Sequence, residues 1–113
     1  MNILQDILTA LRWGEAGPLE PFPEGINQYG LSVSSTVVTL SVPDGAIYAD
    51  AYVRTNSVVF TRDRSAPTAT RGLQADATDV IMLDSRAKLL GFRVIRASAD
   101  ATMDVEYFRK SAS

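Results

Sequence analysis

From Leu31 onward, the apolar residues of this chain fall into short runs in which apolar and polar positions often alternate. The clearest run places Ile47, Ala49, Ala51 and Val53 on one face and Tyr48, Asp50, Tyr52 and Arg54 on the other. Such alternation is typical of a half-buried β-strand. Further apolar runs lie at 58–60, 80–83, 89–95 and 102–108, separated by turn-forming residues and by no predicted helix. The pattern predicts an all-β fold, a small antiparallel β-sandwich.

The start of this region has a strong turn signal. A β-branched run over residues 31–42 is followed by Pro43, Asp44 and Gly45, and then by the alternating strand. Pro and Gly in this order favour a tight turn between two strands. We therefore expect residues 31–42 to form a hairpin with the strand that follows Gly45.

The first residues follow a helical spacing instead. Apolar side chains recur at i, i+1, i+4, i+5 and i+8, with Asn2 as a possible N-cap and Gly14 at the end. They are Ile3, Leu4, Ile7, Leu8 and Leu11. An amphipathic helix of about three turns is marginal in water, so this stripe is expected to dock either on its own domain or on another subunit.

Residues 14–30 are rich in Pro and Gly, which disfavour both helices and sheet ladders. We expect an extended Pro/Gly-rich arm that pairs with no strand. Together with Trp13, its Phe22, Ile26 and Tyr29 are candidate anchors on a partner surface. The chain is thus divided into a helix and arm over residues 1–30 and a β-sandwich domain over 31–113. Removal of residues 1–30 is expected to leave the β domain folded but to weaken assembly.

Composition excludes several functions. The 113 residues contain no Cys and no His, which removes thiolate zinc sites, Cys nucleophiles and Ser-His or Cys-His catalysis. With a net charge of −2, the chain lacks the excess of positive charge that sequence-independent nucleic-acid binding requires. No apolar run is long enough to span a bilayer. We expect no enzymatic activity, no cofactor, no nucleic-acid partner and no membrane insertion.

The acidic side chains could carry two kinds of chemistry, metal binding and glycoside hydrolysis. Asp63, Asp76, Asp79 and Asp84 lie close in sequence, but their spacing does not match a calcium-binding loop, so we interpret them as solvated turn residues and expect no metal. Carboxylate pairs also serve glycosidases, but those need an aromatic-lined groove, and the chain has a single Trp.

Two surfaces are candidates for partner binding. Arg62 and Arg64 flank Asp63 at a loop tip, where they either bind phosphate or an acidic partner or remain in solvent. Tyr48, Tyr52 and Arg54 share a strand face, which is either an ordinary polar surface or the centre of an interface, since interfaces are enriched in Tyr and Arg. Both alternatives stay open for each surface.

Residues 39–108 as a whole resemble a class of small tailed-bacteriophage virion proteins. The resemblance is carried by the segments VPDGA, VVFTRD, SAPTATRG, DVIML, LLGFRVIR and ATMDVEYF, in this order. Proteins of this class resemble β-sandwich capsid decoration or cement proteins, or small pieces of the neck and tail. The class carries no catalytic residues to transfer, and residues 1–30 lie outside the resemblance.

The resemblance implies a non-enzymatic virion structural protein. We expect a capsid decoration or cement protein that binds and stabilises the major capsid protein shell, assembles in the host cytoplasm and forms homo-oligomers. The alternatives are a neck, tail or baseplate component that binds other virion proteins, and a carbohydrate-binding module.

The carboxylate interpretation predicts that the fold needs no ion. Millimolar calcium should leave the melting temperature of the protein unchanged, because dispersed carboxylates bind no cation tightly enough to shift the folding equilibrium. Thermal unfolding with and without a chelator checks this. A melting temperature that rises by several degrees with calcium and falls again with the chelator would show that Asp76, Asp79 and Asp84 form a site.

Overall fold

The computed structural model describes residues 18–111 of the chain. This part contains eight strands and one short helix, in the order β1 (Leu19–Pro21), β2 (Gln28–Val33), β3 (Ala46–Thr55), β4 (Val58–Thr61), β5 (Leu73–Ala75), β6 (Val80–Leu83), α1 (Arg86–Gly91), β7 (Arg93–Arg96) and β8 (Ala101–Lys110). The predicted N-terminal helix, with its apolar stripe and Trp13, lies outside the described residues.

The strands form two antiparallel sheets. The larger sheet has the order β1-β8-β3-β6, and β2 also pairs with β8; the smaller sheet has the order β5-β4-β7. The prediction of a mostly-β fold built from antiparallel sheets is confirmed. The strands expected at 58–60, 80–83 and 102–108 correspond to β4, β6 and β8.

The two long strands show why the sequence folds in this way. Along β8, Met103, Val105 and Tyr107 are fully buried, while the residues between them face outward. Strand β3 presents Ala51 opposite Val105, so small and large side chains meet on the inner face. This alternation buries one face of the larger sheet, as expected for an antiparallel sheet with one solvated side.

The inner face of the larger sheet shares one core with the smaller sheet. Val58 and Phe60 of β4 and Val94 of β7 belong to the same cluster of buried residues as the inward side chains of β3 and β8. The Phe60 ring lies 5.7 Å, centroid to centroid, from that of Phe92, which follows α1. A single core therefore holds the two sheets together.

The predicted hairpin of residues 31–42 with the strand after Gly45 is wrong. Strand β2 ends at Val33 and pairs with β8, whereas β3 pairs with β6 and β8. The intervening residues cross to the smaller sheet, where Val38 exchanges two backbone hydrogen bonds with Val94, at 2.9 and 3.1 Å. The apolar residues of this crossing, Val38, Leu40 and Val42, pack against the core instead of forming a strand.

The prediction that the arm pairs with no strand is also wrong for its described part, residues 18–30. Strand β1 pairs with the end of β8, Leu19 opposite Lys110 and Pro21 opposite Phe108, and residue 30 lies within β2. Strand β1 lies at the edge of the sheet, where the missing N–H of Pro21 costs no ladder bond. Removal of residues 1–30 would therefore delete β1 and half of β2. That the remaining chain folds without them stays a prediction.

One predicted strand is partly a helix. Residues 86–91 form α1, and only the second half of the run at 89–95 is the strand β7. The Ser85 hydroxyl accepts a hydrogen bond from the Lys88 N–H at 3.2 Å, which caps the first turn. Across residues 18–111, no helix is long and apolar enough to cross a lipid bilayer.

The loop after β4 rests directly on α1. The Arg64 N–H donates to the Gly91 carbonyl at 2.9 Å, and a Cβ on Gly91 would lie 2.6 Å from the Arg62 carbonyl oxygen. Only a residue without a side chain permits this approach of two backbone segments.

Gly91→Ala should therefore destabilise the protein although Ala is the better helix former. We expect the free energy of unfolding to fall by about 1–3 kcal/mol, the usual cost of overpacking. Denaturant unfolding measures it, with Leu90→Ala, a change at an exposed neighbouring helix position, as the control. Equal stability of Gly91→Ala and the parent protein would contradict the tight contact.

Candidate functional site

The described arm residues occupy different environments. Phe22 packs against the core, and the Arg109 guanidinium carbon lies 5.0 Å from the centre of its ring. Ile26 and Tyr29 are exposed, Tyr29 with 64% of its surface accessible. Of the predicted arm anchors within residues 18–30, Ile26 and Tyr29 are therefore available to a partner, whereas Phe22 contributes to the packing of the protein itself.

Tyr48 is not part of an exposed face, contrary to the expectation. It is only 2% exposed, its ring packs edge-on against Phe108 at 5.6 Å, and its hydroxyl donates to Asp50 Oδ1 at 2.9 Å. A register shift between Ala46 and Tyr48 lies at this point of β3. Its neighbours Tyr52 and Arg54 do lie on the surface, with Tyr52 36% exposed.

Tyr52 and Arg54 belong to a surface that spans three strands. Arg54 Nη1 lies 2.7 Å from Asp104 Oδ2 on β8, and the Gly30 N–H of β2 donates to Asp104 Oδ1 at 2.8 Å. Tyr29 and Gly30 together occupy the irregular position of β2 that faces Asp104. We refer to Tyr29, Tyr52, Arg54 and Asp104 as the Asp104 ridge.

The electrostatics of the ridge centre on its carboxylate. Partial burial opposes ionisation of Asp104, but the hydrogen bonds from Arg54 and from the Gly30 N–H, together with the Arg54 charge, outweigh it and lower the pKa of the carboxyl group. The same pairing raises the pKa of Arg54. The Arg54 side chain is nevertheless 58% exposed, and a guanidinium has five N–H donors, so it can pair with a further acceptor.

The end of the ridge is tied down by side-chain hydrogen bonds. The hydroxyls of Thr55 and Thr102 lie 2.9 Å apart across β3 and β8, and Asn56 Nδ2 donates to the Asp100 carbonyl at 2.7 Å. Asn56 has a φ of 59°, a left-handed conformation that Asn tolerates in turns. The ridge is therefore held in place before any partner binds, which lowers the entropic cost of binding.

The Arg62 to Arg64 loop lies elsewhere, after β4 of the smaller sheet. The Asp63 carboxylate accepts hydrogen bonds from the hydroxyl and the backbone N–H of Ser65, and these lower the pKa of Asp63. Arg64 adopts a φ of 71° and both arginines are exposed. The structure thus does not bring the two predicted partner surfaces together: Arg54 lies on one sheet and the loop follows a strand of the other.

An open cleft of about 380 Å³ lies between the edges of the two sheets. Its lining includes Phe60 from β4 and Ile81 from β6, with Arg62, Asp79 and Lys88 among its charged residues. Lys88 Nζ pairs with Asp84 Oδ1 at 2.7 Å. The cleft therefore combines an apolar surface with charges of both signs.

The four carboxylates considered for a metal are engaged in turns and pairs. Asp76 Oδ1 accepts hydrogen bonds from Gln74 Nε2 at 3.0 Å and Ser57 Oγ at 2.7 Å, which lower its pKa, and Asp79 Oδ2 caps the Asp76 N–H at 2.8 Å. Within residues 18–111, no group of three or more acidic, His or Cys side chains is placed to hold a metal ion. That the protein uses no metal stays a prediction.

Asp104 is the site residue that sequence reasoning missed. Alternation along residues 102–108 places it outward, but its partners come from β2 and β3, 74 and 50 positions away. Comparison of the chain with descriptions of protein families, with curated proteins and with solved structures found no match. The chemistry of the ridge is therefore derived from its geometry.

The depressed pKa of Asp104 predicts a pH-dependent contribution to stability. Asp104→Asn should lower the free energy of unfolding at pH 7 by about 1 kcal/mol, less than a buried hydrogen bond to a charged group because the Arg54 partner is largely exposed. This stabilisation is complete above the unfolded pKa of about 3.9 and is lost as the pH falls through the lower folded pKa. The difference between variant and parent should therefore shrink below about pH 4.

Urea unfolding from pH 7 to pH 3 measures this difference. The control is Asp100→Asn, which removes an exposed pair with Arg96 and should cost less than about 0.5 kcal/mol. A gap between Asp104→Asn and the parent protein that stays constant across this pH range would contradict the assignment.

Proposed function

We propose that this protein is a non-enzymatic structural component of a tailed-bacteriophage particle, located on the capsid surface, where it decorates the shell and binds the major capsid protein. The resemblance of residues 39–108 to small virion proteins motivates the proposal. The Asp104 ridge carries it, because the ridge is an exposed aromatic and arginine surface on a rigid sheet.

The composition of the ridge supports binding to protein. Tyr and Arg are among the residues that most often supply binding energy at interfaces, and the exposed Tyr29, Tyr52 and Arg54 lie on the two strands that flank Asp104. Because Asp104 already satisfies part of the Arg54 guanidinium, docking does not need to bury an unpaired charge. Such a surface suits a modest contact repeated many times over a shell.

The body that carries the ridge suits a component exposed to mechanical and proteolytic stress. We interpret the two sheets and their shared core as a β-sandwich, whose ladders leave little backbone open to proteases. The Arg62 to Arg64 loop provides a second contact that fixes the orientation of the protein on an acidic patch of the shell. Neighbouring copies on such a lattice would form homo-oligomers around its symmetry axes.

Copy number separates decoration from a role in the neck or tail. A shell protein occupies sites repeated over the whole capsid, so its amount in purified particles should be a simple fraction or multiple of that of the major capsid protein. Quantitative mass spectrometry of purified particles measures the ratio. A handful of copies per particle would overturn decoration and favour a neck, tail or baseplate component.

The same particles test the ridge when purified protein is added back to shells that lack it. The double variant Tyr52→Ser, Arg54→Ala should bind at least tenfold more weakly, as expected for the loss of about 1.4 kcal/mol or more at an interface centre. The matched control is Leu73→Ser, which removes an exposed apolar side chain from the smaller sheet. Equal loss in both variants, or no loss in the double variant, would show that the ridge does not face the shell.

The exposed Tyr29 and Tyr52 also favour a second candidate, a carbohydrate-binding module, since exposed aromatics on a sheet stack on sugars. A glycan array distinguishes the two. Binding of a defined glycan that is lost in Tyr52→Ser, together with no affinity for shells, would replace decoration by glycan binding.

A further inference from the structure

The larger sheet ends at β6, which pairs with β3 on one side and with no described strand on the other. The Val53 N–H donates to the Asp79 carbonyl at 2.9 Å, which sets the phase of the hydrogen bonds along the following strand. Because hydrogen-bonded pairs recur at every second residue of an antiparallel ladder, Ile81 and Leu83 bond to β3. The N–H and C=O groups that point to the open edge of β6 are those of Val80 and Met82.

Two other edges of the sheets are protected in ways that β6 is not. Strand β1 carries Pro21, which has no N–H donor, and β7 exchanges backbone hydrogen bonds with the crossing segment between Val94 and Val38. Proline, charged side chains and covering segments are the usual means by which proteins prevent a further strand from adding to an edge. Strand β6 has the sequence VIML, with neither proline nor charge. Its edge is therefore suited to pairing with another strand.

The open edge of β6 borders the cleft between the two sheets. Gln74 and Ala75 of β5 line the other side of this cleft, and Phe60, Ala75 and Ile81 give it an apolar surface. Successive side chains of an extended chain point to opposite sides, so a strand beside β6 would place every second side chain on this apolar surface. Because the edge lies in a cleft, a single extended chain reaches it more readily than the two-sheet edge of another copy.

The charges around the cleft indicate what kind of chain it would accept. Lys88 pairs with Asp84, and Asp79 Oδ2 accepts the Asp76 N–H at 2.8 Å, so these groups already take part in contacts of the protein itself. Arg62 also lines the cleft, is exposed and forms no ion pair with any residue among 18–111. A guanidinium forms strong paired hydrogen bonds with a carboxylate. An acidic side chain in the bound chain would therefore complement the cleft.

We propose that the open edge of β6 binds an extended segment of a partner protein as an added strand. Main-chain hydrogen bonds to Val80 and Met82 supply the affinity, and the cleft selects apolar side chains at alternate positions and a carboxylate that pairs with Arg62. Val80 lies opposite Tyr52 in the β3–β6 ladder, but the added strand uses backbone groups and the cleft, and not the side chains of the Asp104 ridge. The site does not depend on whether the protein decorates a capsid.

Amide hydrogen exchange of the full chain, measured by NMR, tests whether the edge is open. We expect fast exchange at Val80 and Met82 and slow exchange at Ile81 and Leu83, because only the second pair bonds to β3. Slow exchange at all four amides would overturn the proposal, since residues 1–17 or a second copy would then already cover the edge. Faster exchange on dilution would identify the second copy.

Peptide binding tests the occupant. The probes are end-blocked octapeptides in which Val alternates with Thr, and in which Glu or Lys replaces each residue in turn. Fluorescence anisotropy measures their affinity, and hydrogen exchange is repeated in the complex. We expect the best Glu peptide to bind severalfold more tightly than its Lys counterpart and to slow exchange at Val80 and Met82. Slowed exchange at Gln74 instead would assign the added strand to β5, and either this result or no binding by any peptide would overturn the proposal.

A matched pair of variants isolates the backbone contact. Met82→Pro removes an N–H that points to the open edge, a position at which an edge strand tolerates proline, whereas Met82→Thr keeps this N–H and loses the same side chain. We expect Met82→Pro to bind the best peptide about fivefold more weakly than Met82→Thr, as for the loss of one hydrogen bond. Equal binding by the two folded variants would overturn pairing with the edge.

A second pair of variants tests the charge and does not depend on how the protein tolerates proline. Arg62→Glu should reverse the preference from Glu peptides to Lys peptides, whereas Arg71→Glu, the same charge change at an exposed position outside the cleft, should retain it. An unchanged preference in Arg62→Glu would overturn the carboxylate contact. These experiments use the protein and peptides alone, and shell binding is measured at the Asp104 ridge, so either proposal can fail without the other.

Discussion

Strand β8 is the element on which the larger sheet depends. Its ten residues pair along one side with β3 and along the other side with β1 and β2, so three other strands form hydrogen bonds with it. The inward residues of β8 fill the core, and the outward Asp104 anchors the ridge. One strand thus links the packing of the interior to the proposed binding surface.

A buried polar contact reinforces this strand. The Tyr107 hydroxyl donates to Gln28 Oε1, which also accepts the Ser41 N–H at 3.0 Å, and the Tyr107 N–H donates to Asn27 Oδ1 at 2.9 Å. Burial raises the pKa of Tyr107 well above its usual value, so the hydroxyl stays a donor at every physiological pH. These bonds join β8, β2 and the crossing segment where the apolar core alone would not specify their register.

The sequence predicts the strand content better than the strand partners. Alternation identifies β3 and β8 because each buries one face, and this is a local property. The hairpin prediction failed because the apolar residues Val38, Leu40 and Val42 pack against the core and do not form a β-strand. Tyr52 and Arg54 could be predicted from the alternation within β3, which is a local pattern. Asp104 becomes part of the site only through pairing with distant strands. Tyr48 is not exposed as expected because its ring packs against Phe108, 60 positions away.

The pairing of β1 with the end of β8 has a consequence for biosynthesis. Leu19 lies opposite Lys110, and the Ser111 N–H donates to the Pro18 carbonyl. Strand β1 therefore cannot pair until β8 has been synthesised. While the chain is on the ribosome, β1, β2 and β3 lack their common neighbour, and the larger sheet cannot close. Folding must therefore follow the synthesis of residues 101–110, and its dependence on distant contacts predicts a rate in the millisecond-to-second range of β proteins.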